Sequence, residues 1–218
     1  MKFGVLGTGM VGKTIAGKLA ELGHDVVMGS RSADNADARE WAEAAGAQAS
    51  HGTFADAAGA ADVVFNCTAG GASLEALLAA GEDNLASKLL VDVANPLDFS
   101  QGMPPTLSVM GDDSLGEQIQ RAFPAARVVK TLNTVNCRVM VQPGRVPGDH
   151  DVFLCGNDEE AKAEVRALLG EFGWPEQAIV DLGDISAARG MEAYLLFWLR
   201  LMGVAGTPDF NVKVIRSV

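Results

Sequence analysis

The hydrophobic pattern of the chain alternates between two kinds of segment. Short, continuous apolar runs predict buried strands at 2–6, 25–29, 62–67, 88–94, 127–132, 151–155 and 178–182. Longer segments, in which apolar residues recur every three or four positions, predict helices at 11–22, 35–45, 72–80, 114–123 and 158–172. This alternation predicts an α/β protein with a doubly wound parallel sheet and a small C-terminal helical part.

Turn-forming residues cluster in the segment 142–150, QPGRVPGDH. We place a boundary there, with residues 1–145 as the main domain and residues 146–218 as a smaller C-terminal part. The C-terminal part contains the apolar segment 193–206, AYLLFWLRLMGVAG, which is too short to span a membrane and carries Arg200. We predict a helix here that is buried in the core or in a homodimer interface, or that walls a ligand pocket.

Three glycines near the N-terminus form a G-x-G-x-x-G array. Gly7, Gly9 and Gly12 follow the first predicted strand directly and open the first predicted helix. In a dinucleotide-binding Rossmann fold, these positions permit a tight turn, close approach of the pyrophosphate and close packing of helix on strand. Met10 and Val11 would add backbone contacts. The alternative is a glycine-rich turn that binds no ligand.

The end of the second predicted strand indicates which dinucleotide binds. An NAD site usually carries Asp or Glu there, whereas this chain has no carboxylate among residues 28–31. Arg31 can instead pair with the 2′-phosphate of NADP, and Ser30 adds a hydroxyl group. The sequence therefore favours NADP over NAD, unless Arg31 is merely a solvated loop residue.

Composition narrows the classes of partner. The net charge is −11, so the chain lacks the basic surface that nucleic-acid binding requires. Three cysteines without a C-x-x-C pair favour reduced thiols and a cytoplasmic location. We see no signal peptide and expect no membrane partner. The histidines have no cysteine or carboxylate at metal-ligand spacing, so we expect no metal site.

From the glycine turn onwards, the sequence resembles the NADPH-dependent reductases of coenzyme factor 420, a deazaflavin, and the reductase domain of the STEAP metalloreductases. The similarity is carried by GVLGTGMVGKTIAGKLAELGHDVVMGSRS, VVFNCTAGGA, LLVDVANPLD, VVKTLNTV and DVFLCGNDEEAKAEVRALLGEFGW, and it covers nearly the whole chain. The resemblance implies an NADP-binding Rossmann domain, a smaller C-terminal part and commonly a homodimer. It also implies cofactor contacts from Thr8, Gly9, Met10 and Val11 at the pyrophosphate, Ser30 and Arg31 at the 2′-phosphate, Thr68 and Ala69 at the ribose and nicotinamide, and Asn95 and Pro96 near the nicotinamide.

Further candidates lie around the predicted strand 127–132, because ligands bind at the carboxyl ends of strands in such sheets. Asn133 and Asn136 could bind the carboxamide or a substrate, or could cap a helix. Lys130 is a candidate proton donor for a carbonyl or imine substrate, since a developing alkoxide needs one. The alternative for Lys130 is an ion-paired structural role.

Three functions therefore stay open. The first is an NADP-dependent oxidoreductase that transfers hydride between NADPH and a flavin-like or deazaflavin acceptor, which depends mainly on placing two flat rings face to face. The second is an NADPH-dependent reductase of a small carbonyl or imine substrate that uses Lys130. The third is a sensor that binds NADP without turnover.

Overall fold

The chain folds as alternating strands and helices, and the computed structural model describes residues 1–217. Within this range the strands are β1 (Lys2–Leu6), β2 (Asp25–Ser30), β3 (Ala49–Thr53), β4 (Val63–Asn66), β5 (Leu89–Asp92), β6 (Leu97–Asp98), β7 (Thr106–Leu107), β8 (Arg127–Thr131), β9 (Val152–Gly156) and β10 (Ile179–Asp181). The α-helices are α1 (Met10–Glu21), α2 (Ala36–Ala45), α3 (Phe54–Ala60), α4 (Ser73–Ala80), α5 (Glu82–Leu85), α6 (Leu115–Ala122), α7 (Cys137–Val141), α8 (Glu159–Glu171) and α9 (Ala188–Ala205).

Strand order confirms the predicted doubly wound sheet. In the described part of the chain, eight strands form one sheet in the order β10-β9-β8-β5-β4-β1-β2-β3, while β6 and β7 form a separate hairpin. The chain winds outward from β1 to β3 and then returns to place β4 on the other side of β1. Within the eight-stranded sheet, neighbouring strands are parallel except β8 and β9, which are antiparallel. The sequence pattern did not predict that antiparallel pair.

The strand register brings the carboxyl ends of the central strands to one edge of the sheet. Leu6 of β1 pairs with Gly29 of β2 on one side and with Asn66 of β4 on the other. Asn66 in turn pairs with Asp92 of β5. The loops after these four strands therefore meet where the strand order reverses, which is where doubly wound sheets bind ligands.

Helices cover both faces of the sheet, which explains why the central strands are apolar throughout. On one face, Phe3 and Phe65 pack with side chains from α1, α7 and α8. On the other face, Leu90 packs with side chains from α3, α4, α6 and α9. All three residues are almost fully buried. The two apolar layers hold the glycine-rich edge in a fixed geometry.

Residues after 145 extend the same sheet, because β9 pairs with β8 and β10 with β9. The predicted apolar helix is α9, which packs against α6. The segment after α9 runs back to β9, where the Asp151 carboxylate accepts hydrogen bonds from the Lys213 ammonium group at 2.6 Å and the Val214 N–H at 2.7 Å. The domain boundary at 145 stays a prediction. No helix formed by residues 1–217 is long and apolar enough to cross a membrane.

Candidate functional site

The glycine turn between β1 and α1 has different requirements at its three positions. Gly7 has φ +118°, and a Cβ there would lie 2.7 Å from the Cys67 carbonyl oxygen. A Cβ on Gly12 would collide with the Gly7 carbonyl oxygen. A Cβ on Gly9 would meet no atom within 4 Å. The fold therefore requires glycine at positions 7 and 12, whereas Gly9 keeps space open for something outside the chain.

The N-terminus of α1 is suited to an anion. Gly9 is its N-cap, so no side chain caps the first N–H groups, and the first turn carries no acidic residue. These N–H groups and the positive end of the helix dipole attract a diphosphate. Gly7, Thr8 and Gly9 line a cavity of about 410 Å³ in front of this turn, which we call the first cavity. The turn and its free space fit the diphosphate of a dinucleotide.

The end of β2 forms the far side of the first cavity. Arg31 lines it, is exposed, and forms no salt bridge with any other residue in the range 1–217. Ser30 also lines it but is buried, and its hydroxyl group donates to the Ser32 carbonyl at 2.5 Å. The guanidinium group of Arg31 is therefore available to a phosphate, while the Ser30 hydroxyl is already used in the turn.

Several residues of the first cavity were not predicted. Asn35 is the N-cap of α2, where its Oδ1 accepts from the Ala38 N–H at 2.9 Å. Phe54 opens α3, which the sequence pattern missed, and Glu75 lies in the first turn of α4. Asn35, Phe54 and Glu75 are far apart in the sequence and line the same cavity only in the folded chain. No local motif marked Phe54 or Glu75 as site residues.

A second cavity of about 370 Å³ lies on the other side of the α1 N-terminus. The predicted site residues that line it are Met10, Val11, Thr68, Ala69, Asn95, Asn133 and Asn136. Cys67, Thr68 and Ala69 line both cavities, so the two cavities meet at the segment that follows β4. Most of the remaining lining is apolar and includes Leu97, Phe99, Val135, Met140, Leu195 and Trp198. Of these, Leu195 and Trp198 belong to the predicted apolar helix, and Leu97 and Val135 lie in stretches that carry the family resemblance, but none was predicted as a site residue.

The junction between the cavities is fixed by buried hydrogen bonds. The Thr68 hydroxyl donates to Asn66 Oδ1 at 2.7 Å, and Asn66 Nδ2 donates to Asp92 Oδ1 at 2.9 Å. Asn66 Nδ2 also lies 3.2 Å from the Ser73 hydroxyl oxygen at the start of α4. Thr68 is thus held in one orientation by residues of β4, β5 and α4.

The asparagines of the second cavity are largely engaged with the chain itself. Asn95 Nδ2 donates to the Asn133 carbonyl at 2.8 Å, while Asn133 Nδ2 donates to Asn95 Oδ1 at 2.9 Å and to the Met191 carbonyl at 3.2 Å. Asn136 is the N-cap of α7 and accepts from the Arg138 N–H at 3.1 Å. All three asparagines border the second cavity. For Asn136, the observed contact is the helix cap that was predicted as the alternative.

Three predicted residues lie outside both cavity linings. Gly12 is buried against Gly7, as its packing role requires. Pro96 is buried, and its carbonyl accepts from the Ser108 N–H at 2.8 Å beside the β6–β7 hairpin. Lys130 is fully buried, and its ammonium group contacts Asp92, Glu192 and the Ala94 carbonyl.

The position of Lys130 fits the ion-paired structural alternative better than the predicted role as a proton donor. Burial by itself lowers the pKa of Lys130, but the charges and hydrogen bonds of Asp92 and Glu192 outweigh it and raise that pKa. All three N–H groups of the ammonium have acceptors within the chain. The group is therefore neither exposed to the second cavity nor inclined to lose a proton, and the ion-paired structural alternative matches the geometry.

Cys67 lies at the junction but is not set up as a nucleophile. Burial raises the pKa of its thiol strongly, and the nearby charge of Asp92 adds to the shift. A thiol with a raised pKa stays protonated at neutral pH. Cys67 therefore contributes to the site as a lining residue of both cavities.

Comparisons with known proteins agree with this geometry. A family model described as NADP oxidoreductase, coenzyme F420-dependent, matches residues 2–96. The F420-dependent NADP reductase of Methanocaldococcus jannaschii is 30% identical over 202 residues, which cover 88% of each chain. The crystal structure of a candidate F420-dependent NADP-reductase from Arthrobacter sp. FB24 is 53% identical, with a TM-score of 0.93, and the match covers 99% of this chain and 100% of that one.

The metalloreductase STEAP3 of Rattus norvegicus is 29% identical over 192 residues, which cover 88% of this chain but 36% of that protein. The chain therefore spans about a third of the length of this relative. The match over 88% of the Methanocaldococcus jannaschii reductase, the family model over the glycine turn and the observed sheet confirm the resemblance first seen in the sequence. The chain is an NADP-dependent oxidoreductase and belongs to the F420-dependent NADP reductase family.

Proposed function

We propose that this oxidoreductase transfers hydride between NADPH, held in the first cavity, and a flat flavin-like or deazaflavin acceptor, held in the second. The observation that carries this proposal is the meeting of the two cavities at Cys67, Thr68 and Ala69. A dinucleotide whose diphosphate lies at the α1 N-terminus is long enough to extend past this junction. Its reactive ring would then face the second cavity.

Residues of the first cavity would bind the diphosphate and the 2′-phosphate of the cofactor. The N–H groups that follow Gly9 would hold the diphosphate. Arg31 would pair with the 2′-phosphate, because a guanidinium group binds phosphate with two parallel hydrogen bonds. Ser30 would support this contact by fixing the turn through Ser32. Bound NADPH supplies the hydride.

Residues of the second cavity favour a flat, largely apolar acceptor. Val135, Met140, Leu195 and Trp198 give it mostly apolar walls, and the side-chain NH2 groups of Asn95 and Asn133 donate hydrogen bonds within the chain. Among the described residues, Asn133 Oδ1 and Trp198 Nε1 have no hydrogen-bond partner. A hydride transfer between two rings needs close, oriented contact rather than a side chain that donates a proton. A carbonyl or imine substrate needs such a donor, and buried Lys130 does not supply one. These features favour the flavin-like or deazaflavin acceptor.

The test is a turnover assay with purified protein and NADPH. Absorbance of the reduced nicotinamide is followed with factor 420, FMN, FAD, ferric chelates and a set of small carbonyls and imines, each supplied separately. We expect oxidation with at least one flat-ring acceptor and none with carbonyls or imines. Turnover with carbonyls or imines alone would overturn the acceptor proposal. NADPH binding without turnover on any acceptor would favour the sensor.

We also propose that the chain forms a homodimer through α9. Phe197 is 58% exposed although it lies in the middle of this apolar helix, and Tyr194 packs edge-on against it. An exposed aromatic residue on a long apolar helix is typical of a protein–protein contact. Sedimentation of the wild-type chain should give a dimer, and Phe197→Asp should give a monomer. A monomeric wild-type chain at tens of micromolar would refute this proposal.

A further inference from the structure

Three charged side chains form a fully buried cluster behind the second cavity. Lys130 Nζ lies 2.6 Å from Asp92 Oδ2 and 3.0 Å from Glu192 Oε1, and it donates to the Ala94 carbonyl at 2.7 Å. The Lys130 and Asp92 side chains are 0% exposed and that of Glu192 is 2% exposed. We call Asp92, Lys130 and Glu192 the buried cluster. Burying such charges is costly, and here one ammonium group faces two carboxylates, which also accept hydrogen bonds from Asn66, Leu115 and Gly116. These contacts fix the relative positions of the three side chains.

The buried cluster fastens α9 to the rest of the fold. Glu192 belongs to α9 and accepts hydrogen bonds from the first N–H groups of α6, from Leu115 at 2.9 Å and from Gly116 at 3.0 Å. The N-terminal dipole of α6 favours a carboxylate at that position. One residue earlier, the Met191 carbonyl accepts from Asn133. The start of α9 is therefore fixed against both α6 and the strand ends.

The part of α9 fixed in this way continues directly into the wall of the second cavity. Leu195 and Trp198 line that cavity and follow Glu192 by three and six residues on the same helix. Successive turns of a helix are rigidly coupled, since each turn advances 5.4 Å with its hydrogen bonds intact. A shift at Glu192 would therefore move both wall residues.

The other end of the buried cluster reaches the junction of the two cavities. The carbonyl of Ala94, which accepts from Lys130, belongs to a residue that lines the second cavity. Asp92 also accepts from Asn66, which in turn holds Thr68. A single buried ammonium group thus joins the wall on α9 to the strand ends that carry the junction.

We infer that Lys130 is a positioning residue for the acceptor. Through its contacts with Glu192 and Ala94, Lys130 holds the α9 wall of the second cavity at a fixed distance from the junction. This inference rests on the proposed function of the second cavity. Lys130 contacts neither cavity, so its effect on hydride transfer passes through Leu195 and Trp198. The first cavity is connected to the buried cluster through the hydrogen bonds from Asn66 to Asp92 and from Thr68 to Asn66.

The test compares Lys130→Met with Lys162→Met. Lys162 is the matched control, because it is also a buried lysine paired with two carboxylates, Glu159 and Asp181, but belongs to α8 at the far edge of the sheet. In Lys130→Met we expect the KM for the acceptor to rise and kcat to fall, so that kcat/KM falls roughly 10- to 100-fold. Small displacements of groups in an active site can cause losses of this size. The Kd for NADPH should stay within about twofold. Lys162→Met should change neither acceptor constant by more than about twofold.

Hydrogen exchange measured by mass spectrometry provides a readout that needs no acceptor. Lys130→Met should speed exchange in α9 and in the first turn of α6 while leaving α8 unchanged, and Lys162→Met should do the reverse. If Lys130→Met does not fold, Glu192→Gln replaces it, because that variant keeps the side-chain size but loses one acceptor for the α6 N–H groups. Absence of turnover in the wild-type protein would count against the proposed function while leaving the exchange result interpretable.

Three results would overturn the inference. One is unchanged α9 exchange together with an unchanged acceptor KM in Lys130→Met, or in Glu192→Gln where it replaces that variant. Another is a fall in kcat alone, with unchanged α9 exchange and loss of a solvent deuterium isotope effect, because that pattern belongs to a proton donor. Equal effects of Lys130→Met and Lys162→Met on the acceptor would also overturn it, since any lost buried charge would then suffice.

Discussion

Replacement of Arg31 by alanine should weaken NADPH binding and leave NADH binding nearly unchanged. Arg31 is exposed on the rim of the first cavity and forms no salt bridge with another described residue, so its removal breaks no ion pair of the fold. Two unit charges 4 Å apart in water attract by about 1 kcal/mol, and a phosphate monoester carries a charge of about −1.5 to −2. Hydrogen bonds to charged groups contribute about 1.5–3 kcal/mol.

A loss of about 2 kcal/mol corresponds to a rise of about 30-fold in the Kd for NADPH. NADH lacks the 2′-phosphate, so its Kd should change by about twofold or less. Arg31→Lys keeps the charge but not the two parallel hydrogen bonds, and its Kd for NADPH should lie between those of the wild type and the alanine variant. The preference of the wild type for NADPH should also shrink at 1 M salt, where the Debye length is about 3 Å.

Isothermal titration calorimetry of both nucleotides at low and high salt measures these changes. Arg39→Ala is the matched control, because Arg39 is also exposed, eight residues further on in α2, but lines neither cavity. It should leave the ratio of the two Kd values unchanged. Equal losses for NADPH and NADH in Arg31→Ala, or a similar change of the ratio in Arg39→Ala, would refute the assignment of Arg31 to the 2′-phosphate.

Three further predictions concern the turn, the junction and acid stability. Gly9→Ala should weaken nucleotide binding with little change in Tm, because the added methyl group meets no neighbour, whereas Gly12→Ala should lower Tm by about 4–10 °C, measured by circular dichroism, as overpacking against backbone does. Saturating NADP⁺ should slow hydrogen exchange of the backbone amides of residues 67–69, followed by mass spectrometry, because this segment borders both cavities; equal rates with and without NADP⁺ would place the nucleotide elsewhere. Hydrogen bonds from Arg121 lower the pKa of Asp113 to about 2. Because this pKa is near 4 in the unfolded chain, the carboxylate stabilises the fold above about pH 4. That stabilisation is lost as pH falls from about 4 to about 2. Asp113→Asn should therefore lose less in Tm than the wild type between pH 5 and pH 2.5.

Most of the sheet could be predicted because its central strands are buried on both faces. β1, β4 and β5 are continuous apolar runs, and the predicted bounds differ from the observed ones by at most two residues at either end. The strand β3, with the sequence ASHGT, has no such run because it lies at the edge of the sheet. The helix α3 was missed because FADAAGA is short and mostly alanine, which gives no periodic contrast. Strand direction depends on tertiary packing, so nothing local distinguished the antiparallel β9.

Residues that line the two cavities could be singled out from the sequence where a local motif marks them, and were missed where the lining depends on tertiary contacts. Gly7, Gly9 and Arg31 stand at positions set by the turn and by the end of β2, so spacing alone located them. The walls of the second cavity come from α7, α9 and the loop after β5, which are far apart in the sequence and carry ordinary apolar residues. The sequence left two roles open for Lys130, because a lysine at a strand end looks the same in the sequence whether it faces a cavity or two buried carboxylates.

The meeting of the two cavities follows from topology. Because the chain returns past β1 to form β4, the segment after β4 must lie beside the glycine turn, and it borders whatever binds on either side. Under the proposed function, hydride transfer needs two rings at a fixed separation, so the residues at the junction would serve to hold that separation. The polar groups there are accordingly bonded to one another, as Thr68 is to Asn66 and Asn66 to Asp92, instead of pointing outward as donors. It follows that changes in the apolar wall or in its buried supports should affect transfer more than the loss of any one polar side chain at the junction.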